Sequence, residues 1–291
     1  MRILVRAGHR EDPDRPKLLY HYTNGDGLLG IVNSKKLWAT KIQYLNDRSE
    51  LNHAISLGRT IIYRLERETD SEPVRQFFGK IREDFERVER VNIFVFSFSY
   101  ARDLLSQWRA YCCDGGYALG FDPRVIKKLG KGQGFRFVKC IYAEKEQESV
   151  VRRILENRLS SFQEALKTER DTERILNLIK DSSWQAVVDL TSVSPQFKHP
   201  SFIEEEEYRL ISELKRADDR AINCRNKGNL LIPYCEFSLE NPGIEFEIEE
   251  IIIGPGLPIE LAMDSVSTLF HRNKGNYGSI SHTSIPYRKW G

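Results

Sequence analysis

The chain has 291 residues, 40% of them apolar and 30% charged, with 15 Phe, 12 Tyr and 4 Trp. This is a globular composition, large enough for a substantial core, and it excludes a disordered chain. The 44 basic and 42 acidic residues leave a formal charge of +2, so a broad basic surface built to grip a nucleic-acid backbone is not indicated.

Five cysteines, an odd number without a C-x-x-C pair, signal neither a disulfide framework nor a zinc ribbon. The apolar run at Ile3–Val5 is too short and too closely flanked by charge for a signal peptide. No apolar run approaches the roughly 20 residues of a membrane span. The expectation is a cytoplasmic protein with reduced thiols and no membrane partner.

Residues 1–17, polar and proline-broken after residue 8, read as a loose leader to an α+β domain over 18–291. Leu18–Thr23 is a short strand closed by the turn dipeptide Asn24-Gly25. A short helix and a strand at Leu37–Thr40 follow. Asp47 and Glu50 have the spacing of a capping box, ahead of two charged amphipathic helices over about 49–68 and 73–90. Val91–Ser99, β-branched and aromatic, predicts a central strand buried on both faces. Leu104–Tyr111 is a short helix carrying Trp108 and Tyr111, and strands follow at Tyr117–Phe121 and Phe135–Tyr142.

From about 145 to 190 apolar residues fall at helical spacing, predicting an insertion of two or three helices broken near Asp171 and Asp181. Strands return over 206–212, 229–238 and 246–253. A helix over about 258–271 and a short strand near 279–285 complete the chain. Without a regular βαβ rhythm, the pattern predicts a split, mostly antiparallel sheet with flanking helices and a helical insertion.

No P-loop, dinucleotide fingerprint, H-E-x-x-H or G-x-S-x-G is present. The most unusual stretch is Phe202–Ile211, four consecutive glutamates running into Tyr-Arg-Leu-Ile. If the whole stretch is a strand, Glu205, Glu207 and Arg209 share one face. Paired carboxylates beside an arginine suit chemistry at a cationic or sugar-like centre, while a solvated acidic edge is the plainer reading. The other candidates are His21, Tyr22 and Thr23 at the end of the first strand, Ser97 and Ser99 at the end of the central one, and Trp108 and Tyr111 beyond it. Each has a structural counterpart: a satisfied histidine, strand-end hydroxyls, core aromatics.

The ordered series Leu19–Thr23, Leu37–Thr40, Leu45–Glu50, Phe96–Ser99, Gln107–Tyr111, Gly115–Phe121, Phe202–Arg209 and Ile232–Tyr234 resembles a bacterial family of unknown function, number 2971. That likeness runs from about Leu18 to about Pro286 and carries no activity. A more distant resemblance is to ADP-ribosyltransferase-like folds. It rests on His21 and Thr23, on Ser97-Phe98-Ser99 in place of a Ser-Thr-Ser strand end, and on Glu205-x-Glu207.

The second resemblance implies NAD as substrate, with His21, Tyr22, Thr23, Ser97, Ser99, Trp108, Tyr111 and Arg209 around the dinucleotide. Glu207 then stabilises an oxocarbenium-like centre and Glu205 orients an acceptor, a protein or a nucleic acid. No metal is implied. ADP-ribosyl transfer or NAD hydrolysis is accordingly the leading expectation, with a toxin or defence role by association. A non-catalytic module binding a nucleotide, RNA or a protein is the alternative. A metal-dependent nuclease using Glu205, Glu207 and His199 is the third reading.

Overall fold

A computed structural model describes residues 17–45, 49–86, 91–112 and 114–287. The predicted leader up to residue 16 and the capping-box residue Asp47 lie outside these. The elements in chain order are β1 (Leu19–Thr23), α1 (Gly25–Ser34), β2 (Lys36–Lys41), α2 (Ser49–Arg67), α3 (Glu72–Phe85), β3 (Phe94–Ser99), α4 (Leu105–Tyr111), β4 (Tyr117–Phe121), α5 (Pro123–Gly132) and β5 (Phe135–Lys139). They continue with α6 (Glu144–Thr168), α7 (Thr172–Val193), β6 (Glu207–Ser212), β7 (Ile222–Lys227), β8 (Leu230–Ser238), β9 (Glu247–Ile253), α8 (Ile259–Asn273) and β10 (Asn276–His282).

The strands form one sheet in the order β10-β9-β4-β1-β3-β2-β8-β7, with β6 and then β5 joined to β3. Every strand pair is antiparallel except β9 with β10. The sheet splits at β3. One edge of β3 pairs with β6 from Val95 to Ser99. Its other edge is shared: Phe94 and Val95 face Lys41 and Thr40 of β2, and Ser99 alone faces Tyr20 of β1. Between these contacts neither β1 nor β2 pairs with Phe96–Phe98, which leaves a gap in the hydrogen-bonding ladder.

Alternation along β3 explains why it is buried on both faces. Phe94, Phe96 and Phe98 pack with Leu28, Ile31 and Val32 of α1, Ile126 and Leu129 of α5, and Val266 and Phe270 of α8. Val95 turns the other way, with Ile211 of β6, into a second core built on Ile61, Phe77, Phe78, Val151, Leu155, Phe162 and Val187. The helical region expected over 145–190 supplies α6 and α7, whose Val151, Leu155, Phe162, Ile179, Ala186, Val187 and Leu190 are buried in that core. Asp171 caps α7 by accepting the Arg174 N–H at 2.9 Å, whereas Asp181 lies inside the helix and breaks nothing.

Two elements were not predicted. Helix α5 starts on Asp122, which accepts the Arg124 N–H at 2.8 Å, with Pro123 in the first turn. Strand β7, Ile-Asn-Cys-Arg-Asn-Lys, is a polar edge strand whose composition resembles a loop. No helix among the described residues is long and apolar enough to cross a membrane.

Candidate functional site

The acidic stretch folds differently from the strand expected of it. His199 Nδ1 accepts the Ser201 N–H at 3.2 Å, and Pro200 opens a 3-10 turn over Pro200–Glu205. Glu206 then adopts a left-handed conformation, φ 42° and ψ 52°, and the strand begins only at Glu207. Glu207 and Arg209 share a face as predicted. Glu205 does not belong to that row.

Glu207 is nonetheless held close to Glu205 through a lysine. Its carboxylate accepts from Arg209 Nε at 2.7 Å and Arg209 Nη2 at 3.0 Å, and also from Lys198 Nζ. The same Nζ lies 2.5 Å from Glu205 Oε2. A further nitrogen of Arg209 donates to Pro195 O at 2.7 Å, and the Glu207 N–H donates to the Tyr142 hydroxyl at 2.8 Å. Glu207, Arg209 and Lys198 are all buried.

Burial alone would push the Glu207 pKa up, but Arg209 and then Lys198 outweigh it and hold the carboxyl at about 2. Burial opposes the charge of Lys198 as well, and Glu207 overcomes it, so its pKa is raised. A carboxylate shared between two buried cations has little uncompensated charge to offer a developing oxocarbenium. This arrangement therefore argues against Glu207 as the essential acid. It also weighs against the nuclease reading, since an ammonium occupies the space between the two carboxylates where a metal would have to sit, and the His199 nitrogen is engaged in a cap.

Two of the aromatic candidates, Trp108 and Tyr22, are core residues. Trp108 is fully buried, donates Nε1–H to Asp103 Oδ1 at 2.6 Å, and meets Tyr22 edge-on at 4.7 Å. Tyr22 is buried, with its hydroxyl donating to Ala101 O at 2.7 Å and accepting the Leu104 N–H at 3.1 Å. Neither ring leaves a face for a ligand. Tyr111 is exposed. Ser99 braces the chain, donating to Glu205 O at 2.6 Å and accepting the Ala101 N–H at 3.1 Å. Thr23 accepts the Cys112 thiol at its carbonyl.

His21 sits elsewhere. Because Tyr20 pairs with Ser99 and Ser99 with Glu207, those three side chains share one face and His21, next along β1, belongs to the other. Its ring packs on Phe96 at 4.2 Å, and Nδ1 reaches Ser97 O at 3.1 Å, on the edge of β3 that the split leaves unpaired. His21 and Glu207 are not brought together. Burial, assisted by the charge of Arg225, lowers the His21 pKa to about 4 against the pull of the Ser97 carbonyl, so the ring is neutral.

Arg225 of β7 is the residue that sequence reasoning passed over. It donates through Nη2 to Thr40 Oγ1 at 2.9 Å, and its guanidinium lies 5.6 Å from the ring centroid of Trp38. Trp38 contacts the Tyr234 ring at 4.6 Å. Arg225 is half-buried, and burial lowers its pKa. Among the described residues it has no carboxylate partner.

Comparison with known proteins adds one fact. Residues 107–210 match the family described as Protein of unknown function (DUF2971). No curated protein and no solved structure matches the chain, so none of these comparisons points to an ADP-ribosyltransferase. The DUF2971 match takes in Trp108, Lys198, Glu207 and Arg209, and it stops short of His21, Trp38 and Arg225. The matched segment thus holds the buried charges that tie the start of β6 to Pro195 and Lys198 in the stretch after α7.

Proposed function

We propose that this chain is a nucleotide-binding protein, with NAD or a related adenine nucleotide held at the gap between β1 and β2 rather than cleaved by Glu207. A single observation carries the reading. Arg225 is a half-buried cation with no carboxylate partner among the described residues, held by Thr40 and lying over a part-exposed tryptophan. A protein gains little by desolvating a guanidinium unless an anion replaces the lost water, and guanidinium groups pair with phosphate through two parallel hydrogen bonds. Trp38, part-exposed and tilted against the Tyr234 ring, offers an edge and surface for a base to contact.

Calorimetric titration with NAD, ADP-ribose and AMP, run beside an assay for released nicotinamide, tests this. Binding without nicotinamide release is the expected result. Arg225→Gln and Trp38→Ala should each weaken binding about tenfold or more, because a charge-assisted hydrogen bond or a stacked base is worth ~1–3 kcal/mol. Failure of the parent protein to bind all three ligands sinks the reading. Nicotinamide release abolished by Glu207→Gln in a folded variant would restore the catalytic one.

A further inference from the structure

We propose that the gap is one end of a longer track, and that the ligand it serves is a single-stranded nucleic acid lying along β8 and β7. This rests on the nucleotide reading above and extends it.

The β7–β8 hairpin reaches beyond the core. Its turn is Gly228-Asn229, with Gly228 at φ 64° and Lys227 opposite Leu230. Asn226, Lys227, Leu230 and Leu231 are all exposed, the two leucines at 54% and 64%. The register aligns its residues in rows. Trp38 lies opposite Glu236, Thr40 and Asn223 flank Tyr234, Arg225 faces Ile232 and Lys227 faces Leu230. Successive rows are two residues apart, a step of about 7 Å, and their side chains share one face of the sheet.

That face therefore presents, in sequence, an aromatic pair, an amide, an arginine and then a lysine beside a leucine. An exposed ring followed by a line of cations along an open sheet offers a stacking platform for an unstacked base and charges for the phosphates that follow it. The only acid in these rows, Glu236, is already neutralised by Lys36 at 2.5 Å. Neither Arg225 nor Lys227 has a carboxylate partner among the described residues. An apolar partner surface would cover Leu230 but leave Arg225 and Lys227 without an anion.

The test is fluorescence anisotropy with labelled single-stranded RNA of about 12 nucleotides, a length within the range of known single-strand sites, compared with calorimetry of AMP and with a duplex of the same sequence. The single strand should bind about tenfold tighter than AMP or better, should weaken as salt rises, and should exceed the duplex. The double variant Lys227→Gln, Leu230→Ser, both at exposed positions, should reduce the oligonucleotide to the affinity of AMP and leave AMP unchanged. Arg225→Gln should weaken both.

An oligonucleotide that binds no tighter than AMP, or no tighter than its duplex, overturns the proposal while leaving the gap intact as a nucleotide site. So does tight binding that the hairpin variant does not alter, which would assign the leucines to a protein contact. If neither AMP nor the oligonucleotide binds, the nucleotide reading itself fails.

Discussion

At Glu207 three effects compete. Removal from water disfavours the anion, whereas Arg209 and Lys198 favour it, and the cations win. The folded carboxyl holds its proton less tightly than the unfolded one, so its contribution to stability is complete above about pH 4.5 and drains away as pH falls toward about 2. His21 occupies a different window. Its pKa falls from 6.5 to about 4 on folding, so the stability tied to its neutral ring is present above 6.5 and lost as pH drops through 4. Urea unfolding across this range should show two successive losses, and His21→Asn should remove the upper one alone. Glu207→Gln removes the carboxylate that Arg209 and Lys198 share, leaving Lys198 with Glu205 alone, and should cost ~3–5 kcal/mol at neutral pH. A loss below 1 kcal/mol would mean that the cluster is better hydrated than its burial implies.

Among the elements, α6 is tied to the charge cluster by one side chain. Gln147, almost fully buried, donates to Ile141 O at 2.6 Å and Lys198 O at 3.0 Å, and its Oε1 lies 2.8 Å from His53 Nε2 of α2. Gln147→Leu removes the side-chain donor to the Lys198 carbonyl and the partner of His53, while Ile141 O keeps the Lys198 N–H at 3.1 Å, and should destabilise the fold by ~1–3 kcal/mol, measured as a shift in urea midpoint. The helices and inner strands were legible in the sequence because burial imposes a period: Phe94, Phe96 and Phe98 against Val95, or the apolar spacing along α6 and α7. The start of β6 was not, since a run of glutamates looks alike in a strand or a turn. What decides it is Pro200 and the left-handed Glu206. Strand β7 escaped notice because an edge strand with exposed sides needs no apolar alternation.

Across the whole molecule the split sheet was readable and the site was not. Trp38, Thr40 and Tyr234 lie in motifs visible along the chain, yet nothing in their spacing says that they meet Arg225, which is 185 residues from Thr40. Only the pairing of β2 with β8 and of β8 with β7 joins them. Sequence order, conversely, placed His21 and Glu207 in one expected site, and the register of β1, β3 and β6 assigns them to opposite faces.

The contrast between Trp108 and Trp38 makes the protein its own spectroscopic probe. Trp108 has no contact with water, while Trp38 is 37% exposed under a guanidinium. In a Trp184→Phe, Trp290→Phe background the emission should resolve into a short-wavelength component from Trp108 and a long-wavelength one from Trp38. Nucleotide should quench the second and spare the first, whereas denaturant should red-shift the first. Occupancy of the gap and integrity of the fold then become two separable signals in one cuvette, and quenching confined to the short-wavelength band would place the ligand somewhere other than beside Arg225.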